Sequence, residues 1–291
     1  MEKCICGSAK GKASKHDFYE VTAEGKTQKA KAKMSIITCA DCSVVRRDVG
    51  MDDAAFKEFY ANYQPTGKEY VGKTYQHDRD VATKRCNAYG FGVGQELKVL
   101  DVGSGSGAFV DECRARGLMA FGCEVADYAY AQSRDFIYDD RLEEVHFPTD
   151  HFDRVTCHDV LEHVPDLTAF VDEMFRTTKQ GGVCIVDFPN FEDKAGEHHW
   201  KEEHLWYLTA EQLTAALKKA GFTITDVQHP IESKTTVYCN KPQQIRTTIL
   251  LPPGIGDSYW SITKLQAFLK REKLALPDVH VACNRDMKYN G

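Results

Sequence analysis

The sequence predicts an α/β protein. Its centre is a doubly wound, mostly parallel sheet of seven strands with helices on both faces, and a small cysteine-bearing module precedes it. Three observations predict this. Short apolar runs alternate with amphipathic stretches across residues 97–240. One apolar run ends in an acid and opens into alternating glycines, Asp101-Val102-Gly103-Ser104-Gly105-Ser106-Gly107. Two close cysteine pairs, Cys4/Cys6 and Cys39/Cys42, stand ahead of that region. Strand–helix alternation places a parallel sheet between two helical layers, because each crossover must return across a face of the sheet.

Taken in order, residues 1–50 are lysine-rich and poor in apolar periodicity, and the basic run 26–33 reads as a solvated hairpin or loop. Residues 51–90 form a helical lid or linker. One helix over 54–63 is capped by Asp52 or Asp53, and a second over 74–89 follows a Pro-Thr-Gly turn at Pro65. In the core at 91–240, strands are expected at 97–102, 120–124, 152–158, 183–188, 222–228 and 234–239. Helices are expected at 107–116, 128–136, 167–177 and 210–220, with His163 opening a helix. Lys241-Pro242 marks a boundary. Residues 241–291 then give a strand at 245–251, a turn, a helix at 260–272 and a strand at 279–282.

The chain has 291 residues, 42% hydrophobic and 27% charged, in the ordinary range for a water-soluble globular protein. A net charge of -6 argues against DNA as a partner, since a nonspecific nucleic-acid surface needs a basic excess to displace counterions. No apolar run approaches the ~20 residues that span a bilayer, and the opening Met1-Glu2-Lys3-Cys4 lacks a secretory apolar stretch. Eleven cysteines, an odd number with several inside core strands, point to a reducing cytoplasm rather than a disulfide framework.

The glycines of the 101–107 segment permit a tight turn and close backbone approach to a ligand. Gly103, Gly105 and Ala108, followed by Glu124, also satisfy a dinucleotide fingerprint, so the glycines alone do not decide the ligand. Asp101 bears on the choice. A pyrophosphate would meet a carboxylate of like charge at the strand tip, whereas a ligand carrying an ammonium and a sulfonium would be attracted. Glu124, at the end of the next strand, suits two ribose hydroxyls.

The run Phe152-Asp153-Arg154-Val155-Thr156-Cys157-His158-Asp159-Val160-Leu161-Glu162-His163-Val164-Pro165-Asp166 completes a pattern. With Val99–Gly107, the Gly181-Gly182-Val183 turn and the 208–222 helix–strand passage, it resembles the class I S-adenosylmethionine-dependent methyltransferases. The motifs lie in order over about half the chain. The resemblance implies a Rossmann-like fold and S-adenosylmethionine as cofactor. It implies that Asp101, Gly103, Ser104, Gly105 and Gly107 border the methionyl part, that Glu124 holds the ribose, and that Val125 lies beside the adenine with Arg141 and Leu142. Cys157 and His158 fall at the carboxyl end of the fourth core strand, facing cofactor and acceptor, and Tyr63, Tyr70 and Tyr75 are candidates to close over the site.

Methyl transfer from a sulfonium is an in-line displacement in which the protein aligns a nucleophile and excludes water. A general base is required when the acceptor is a hydroxyl or a carbon acid. His158 is the first candidate, ahead of His204 and His199, with His198 and His163 behind them. Asn-Pro-Pro-Tyr does not follow strand four, which speaks against DNA-base amines and for a small-molecule acceptor, by O- or C-methylation.

Four thiolates in two knuckles can build a closed tetrahedral zinc site, so Cys4, Cys6, Cys39 and Cys42 are the expected metal ligands, with His16 an alternative to one of them. The module resembles zinc ribbons that precede some methyltransferases, although one residue rather than two separates Cys4 from Cys6. The segment from Thr247 through Ser258 resembles the opening of heptosyltransferase-like glycosyltransferases, which points toward glycan assembly and a sugar or sugar-nucleotide acceptor. Two other readings stand beside the methyltransferase: an NAD(P)-dependent oxidoreductase, and a non-catalytic cofactor- or partner-binding protein.

Overall fold

A computed structural model describes residues 4–21, 27–48, 58, 70–126, 134–191, 204–231, 234–243, 247–251, 267, 270 and 279–283. The chain divides into two compact units, residues 1–242 and 243–291.

The first unit is built on a seven-stranded sheet. Its strands are β4 (Lys98–Val102), β5 (Met119–Cys123), β6 (Ile137–Tyr138), β7 (Phe152–His158), β8 (Thr178–Pro189), β10 (Thr223–Ile231) and β11 (Lys234–Asn240), in the spatial order β10-β11-β8-β7-β4-β5-β6. The pairs β4·β5, β4·β7, β5·β6 and β7·β8 are parallel, while β11 runs antiparallel to both β8 and β10. The expected mostly parallel sheet of seven is therefore observed. The strand order reverses beside β4, where open α/β sheets leave a ligand crevice beyond the carboxyl ends of their strands.

Side-chain alternation along the strands divides the core into two layers. On β4, Val99 packs into one layer, with Phe109, Val110 and Cys113 of α2 (Ala108–Ala115) and Ala82 and Cys86 of α1 (Tyr70–Ala88). Leu100 and Val102 face the other layer. There they meet Phe152, Val155 and Cys157 of β7 and the apolar stripes of α4 (Leu167–Thr177) and α5 (Ala210–Ala220). The helix ends are specified locally. Asp166 accepts from the amides of Thr168 and Ala169 at the start of α4. Thr209 and Gln212 form a reciprocal capping box on α5, which stops at Gly221 with φ 113°.

A second sheet, β1-β2-β3-β9, comes from the N-terminal segment plus one later strand. β1 (Gly11–Val21) and β2 (Thr27–Cys39) form a long hairpin, β3 (Val45–Arg47) pairs with β2, and β9 (Trp206–Tyr207) closes the edge against β3. Cys4, Ile5, Cys39 and Val44 belong to the same buried cluster as α4 and α5. The module thus shares its core with the main sheet.

Several sequence expectations differ in detail. His163 does not open a helix. It lies in the turn after β7, and α4 begins at Leu167, because Pro165 disfavours helical backbone before it and Asp166 supplies the cap. β8 starts five residues before the expected strand, since α4 passes directly into it and the Gly181-Gly182 turn lies within it. Arg134–Phe136 is a single 3-10 turn, and α3 (Leu142–Val145) follows β6. The rest of the expected 128–136 helix lies outside the described residues, as do the 54–63 and 260–272 helices apart from Glu58, Ala267 and Lys270, which are helical. In the second unit, β12 (Thr247–Leu251) and β13 (Val279–Cys283) pair in parallel, Thr247 opposite Val279. Among the described residues, no helix is long and apolar enough to cross a membrane.

Thr209→Ala removes the acceptor of the α5 cap and is expected to lower unfolding free energy by about 1 kcal/mol. Urea denaturation would measure this, with the slope of the transition unchanged.

Candidate cofactor and acceptor site

The turn between β4 and α2 places Gly103, Gly105 and Gly107 at φ 68°, 52° and 78°. All three are in the left-handed region that side chains disfavour. A Cβ at Gly103 would also stand 2.2 Å from Cγ2 of Val160, so both backbone and neighbour demand glycine there. The amides of Gly103 and Ser104 both donate to the carbonyl of Cys123, at 2.9 and 3.0 Å. The amide of Gly105 donates to Oε2 of Glu124 at 2.9 Å, and the amide of Ala126 donates to Oε1 at 2.9 Å. Glu124 is buried at the tip of β5, and burial raises its pKa while these amides oppose the shift. Each of its oxygens keeps a second lone pair for a hydroxyl.

Asp101 is buried on β4, and its Oδ1 accepts from the Thr156 hydroxyl at 2.8 Å. Burial pushes its pKa up, against the pull of His158 and Thr156. Ser104 Oγ is buried and has no hydrogen-bond partner among the described residues. Two inward carboxyls, an unpartnered hydroxyl and a cradle without Cβ atoms fit a ligand with ribose hydroxyls and a cationic end. Phosphate fits poorly beside Asp101 and Glu124. α1 lies over this turn. Tyr75 hydrogen-bonds Asp111, Ser106 Oγ donates to Asp78 at 2.7 Å, and Arg79 pairs with Glu112 at 3.1 Å.

β7 ends in Cys157 and His158, whose side chains point to opposite faces. Cys157 is fully buried in the α4/α5 layer, so only its backbone is at the strand tip. His158 lies on the α1/α2 side, stacked on Tyr89 with ring centroids 5.8 Å apart and edge-on to Phe109 at 5.6 Å. Its Nδ1 is 2.8 Å from Oδ2 of Asp187 on β8, which Arg85 of α1 approaches at 3.4 Å. Burial raises the Asp187 pKa, but the hydrogen bond and charge of His158, with Arg85 behind them, outweigh it and hold the carboxyl at about 2. An ionised carboxylate only accepts, so Nδ1 carries the proton. In the neutral ring Nε2 is then the bare nitrogen, and it is buried without a partner among the described residues.

Arg141 precedes α3 and pairs with Glu144 at 2.6 Å, while the side chain of Leu142 is buried in the α4/α5 layer. Val125 is half-buried just beyond Glu124. His204 is buried beside His163 and Glu162, ring centroids 5.0 Å from His163. His198, His199, Tyr63 and the side chain of Tyr70 lie outside the described residues. The sequence reading missed Asp187, Arg85 and Tyr89. Asp187 has a signal, an acid near the end of a predicted apolar strand, but its partner is 29 residues away and only the sheet register pairs them.

The four cysteines converge. Cys4 Sγ is 3.5 Å from that of Cys42, and Cys6 Sγ is 3.6 Å from that of Cys39. Their sulfurs form a group able to hold a metal ion, so the one-residue spacing of the first pair does not prevent convergence. Burial works to raise the Cys39 thiol, but the amides of Cys42 and Asp41 outweigh it and bring it to about 7. The backbone of His16 pairs with Met34, and its side chain is outside the described residues.

Gly103→Ala is expected to cost at least tenfold in affinity for S-adenosylmethionine, measured by calorimetry, while thermal unfolding stays cooperative. Asp187 gives a stability prediction with a definite sign. Its folded pKa lies below the unfolded value of about 3.9, so its contribution is present above about pH 4 and is lost as pH falls toward 2. The stability difference between wild type and Asp187→Asn should shrink by about 2 kcal/mol across that window, followed by urea unfolding at each pH.

Residues 56–227 match a family model described as a methyltransferase domain, which is more than half of the chain. A ubiquinone biosynthesis O-methyltransferase of Psychrobacter arcticus is 30% identical over 159 residues, covering 45% of this chain and 60% of that protein. The chain thus spans under two thirds of that relative. A SAM-dependent methyltransferase of Archaeoglobus fulgidus aligns in three dimensions with TM-score 0.48 at 16% identity, over 56% of this chain and 94% of that one. The 1,6-didemethyltoxoflavin-N1-methyltransferase of Burkholderia thailandensis, solved with 1,6-didemethyltoxoflavin and S-adenosylhomocysteine, aligns with TM-score 0.48 at 15% identity, over 70% and 98% of the two chains. By the family match over the residues that build the glycine turn, Glu124 and His158, the chain belongs to the methyltransferase-domain family, the class I S-adenosylmethionine-dependent methyltransferases.

Proposed function

We propose that the protein transfers a methyl group from S-adenosylmethionine to a hydroxyl or acidic carbon of a small molecule. The observation that carries this reading is the left-handed glycine turn set between two buried carboxyls, Asp101 and Glu124. Glu124 would hold the ribose hydroxyls and Asp101 would favour the cationic methionyl end. Val125, Arg141 and Leu142 are assigned to the adenine side. Ser104 would contribute its hydroxyl, and Cys157 its backbone. The bound cofactor supplies an electrophilic methyl group, so the chain's task is to align the acceptor and remove its proton.

His158 is the proposed base. Asp187 keeps the proton on Nδ1, and Nε2 has the free lone pair. His204, and His199 in the segment before it, are assigned to the acceptor side. The four-cysteine group is read as a structural zinc site, since four protein ligands leave no open position. Retained thiols and a thiolate metal site suit a reducing cytoplasm. A zinc module at 1–50, a lid at 51–90 and a core at 91–240 remain the working division. The 241–291 segment, glycosyltransferase-like in sequence, favours a sugar or sugar nucleotide as acceptor and a place in glycan assembly. The name of the Psychrobacter relative supports an oxygen acceptor.

Calorimetric titration with S-adenosylmethionine and with NADH tests the class. Micromolar binding of the first is expected, weakened at least tenfold in Asp101→Ala, with none of the second. An acceptor screen with methyl-labelled cofactor, starting from sugar nucleotides and phenols, should then show turnover that falls at least 100-fold in His158→Ala. Binding of NADH in place of S-adenosylmethionine would overturn the reading.

A further inference from the structure

We infer that Glu162, His163 and His204 form a second metal site, a mononuclear site for a divalent first-row transition cation. It is distinct from the four-cysteine group. Each of the three side chains offers one ligand atom, and the three atoms lie within 4.8 Å of one another. Oε1 of Glu162 is 3.7 Å from Nε2 of His163, and the two imidazoles meet edge to face at an interplanar angle of 85°. Ligands about 2 Å from one ion stand roughly 3.4 Å apart in a tetrahedron. Separations of at most 4.8 Å therefore need to close by no more than about 1.4 Å, within reach of a rotation of His163, whose side chain is 20% exposed. Glu162 and His204 are both buried.

The backbone fixes this convergence. The carbonyl of Glu162 accepts from the amides of Leu205 at 2.6 Å and Trp206 at 3.1 Å, and the Trp206 indole donates to the carbonyl of Val164 at 2.7 Å. Three hydrogen bonds thus clamp the segment carrying His204 to the turn carrying Glu162 and His163. Asp166 caps the helix that follows this turn, and Leu161 is fully buried beneath it. The donor set chooses the ion class. Two imidazoles with one carboxylate suit zinc, cobalt or iron over magnesium or calcium, which prefer all-oxygen shells. Three protein ligands leave a position open for water or another oxygen donor.

The site lies in the turn just beyond His158, past the carboxyl end of β7, the edge where open α/β sheets bind ligands. If the methyltransferase reading holds, the open position would take an acceptor oxygen and lower the pKa of its proton. That role rests on the proposed function, whereas the binding of the ion does not.

The test is a cobalt titration of the metal-stripped full chain, followed by absorbance and equilibrium dialysis. Cobalt on the four cysteines shows intense thiolate-to-metal charge transfer, and cobalt on two imidazoles and a carboxylate does not. Wild type should bind one equivalent without that absorption. His163→Asn, a change at a side chain that is 20% exposed, and Glu162→Gln should each weaken that equivalent at least tenfold, leaving any thiolate band intact. Near-ultraviolet circular dichroism checks that the variants fold. Wild type that takes up no cobalt beyond the thiolate equivalents would overturn the proposal, as would variants that bind it as tightly as wild type. Titration with S-adenosylmethionine runs in parallel. Cobalt at this site without cofactor affinity would leave the metal site standing and remove the methyltransferase reading.

Discussion

The structure around the site depends on the left-handed backbone of the turn between β4 and α2. Three glycines with positive φ, two residues apart, reverse the chain so tightly that the Gly105 amide reaches the Glu124 carboxylate on the neighbouring strand. Together with the Gly103 and Ser104 amides, which donate to the Cys123 carbonyl, that hydrogen bond ties the tips of β4 and β5 and fixes the Glu124 carboxyl. It also sets where α2 begins, and so where α1 can dock through Asp111, Glu112 and Ser106. A side chain at Gly103 would break this chain of dependence twice, through φ and through Val160.

The N-terminal segment depends on the core in a different way. A hairpin as long as β1–β2 has little apolar surface of its own, and a two-stranded ribbon is marginal in water. It gains support at the other end. β9 pairs with β3, Lys219 of α5 donates to the Ile5 carbonyl at 2.8 Å, and Gln212 of the α5 capping box donates to the Cys42 carbonyl at 3.1 Å. The cysteine knuckles therefore rest on α5. A metal held there would brace the same helix.

What the sequence made legible follows from the range of the physics involved. β4, β5, β7 and β8 were readable because buried parallel strands are apolar runs, and α4 and α5 because their caps and stripes are local. The glycine turn, Asp101 and Glu124 were readable because conformation and charge are properties of single residues. β3, β6 and β9 were not, being two or three residues long and strands only through their partners. Around β1 and β2 only the basic run 26–33 was read, as a solvated hairpin or loop, since the lysines mask the alternation. Asp187 and Arg85 escaped for a related reason. Their meaning lies in register, with His158 opposite Asp187 across β7 and β8. The convergence of Cys4 and Cys6 on Cys39 and Cys42 was foreseen in kind, although the spacing of the first pair gave no geometry.

The site sorts its acids by environment, and that sorting is what gives each one a role. Asp101 is buried and hydrogen-bonded to a neutral hydroxyl, so burial wins and its pKa rises. Asp187 is also buried but meets an imidazole and a guanidinium, so charge wins and it stays ionised. The first arrangement makes Asp101 sensitive to whatever cation is placed beside it, because a positive charge would restore the anion that burial disfavours. The second makes Asp187 insensitive, its counter-charges being built in. A carboxyl whose ionisation is completed by its ligand selects for charge, and a carboxyl whose ionisation is completed by the protein orients a neighbour. The two acids lie on strands on either side of β7, with Thr156 and His158 of that strand between them. A cation entering over Asp101 therefore arrives beside the imidazole that Asp187 has already oriented.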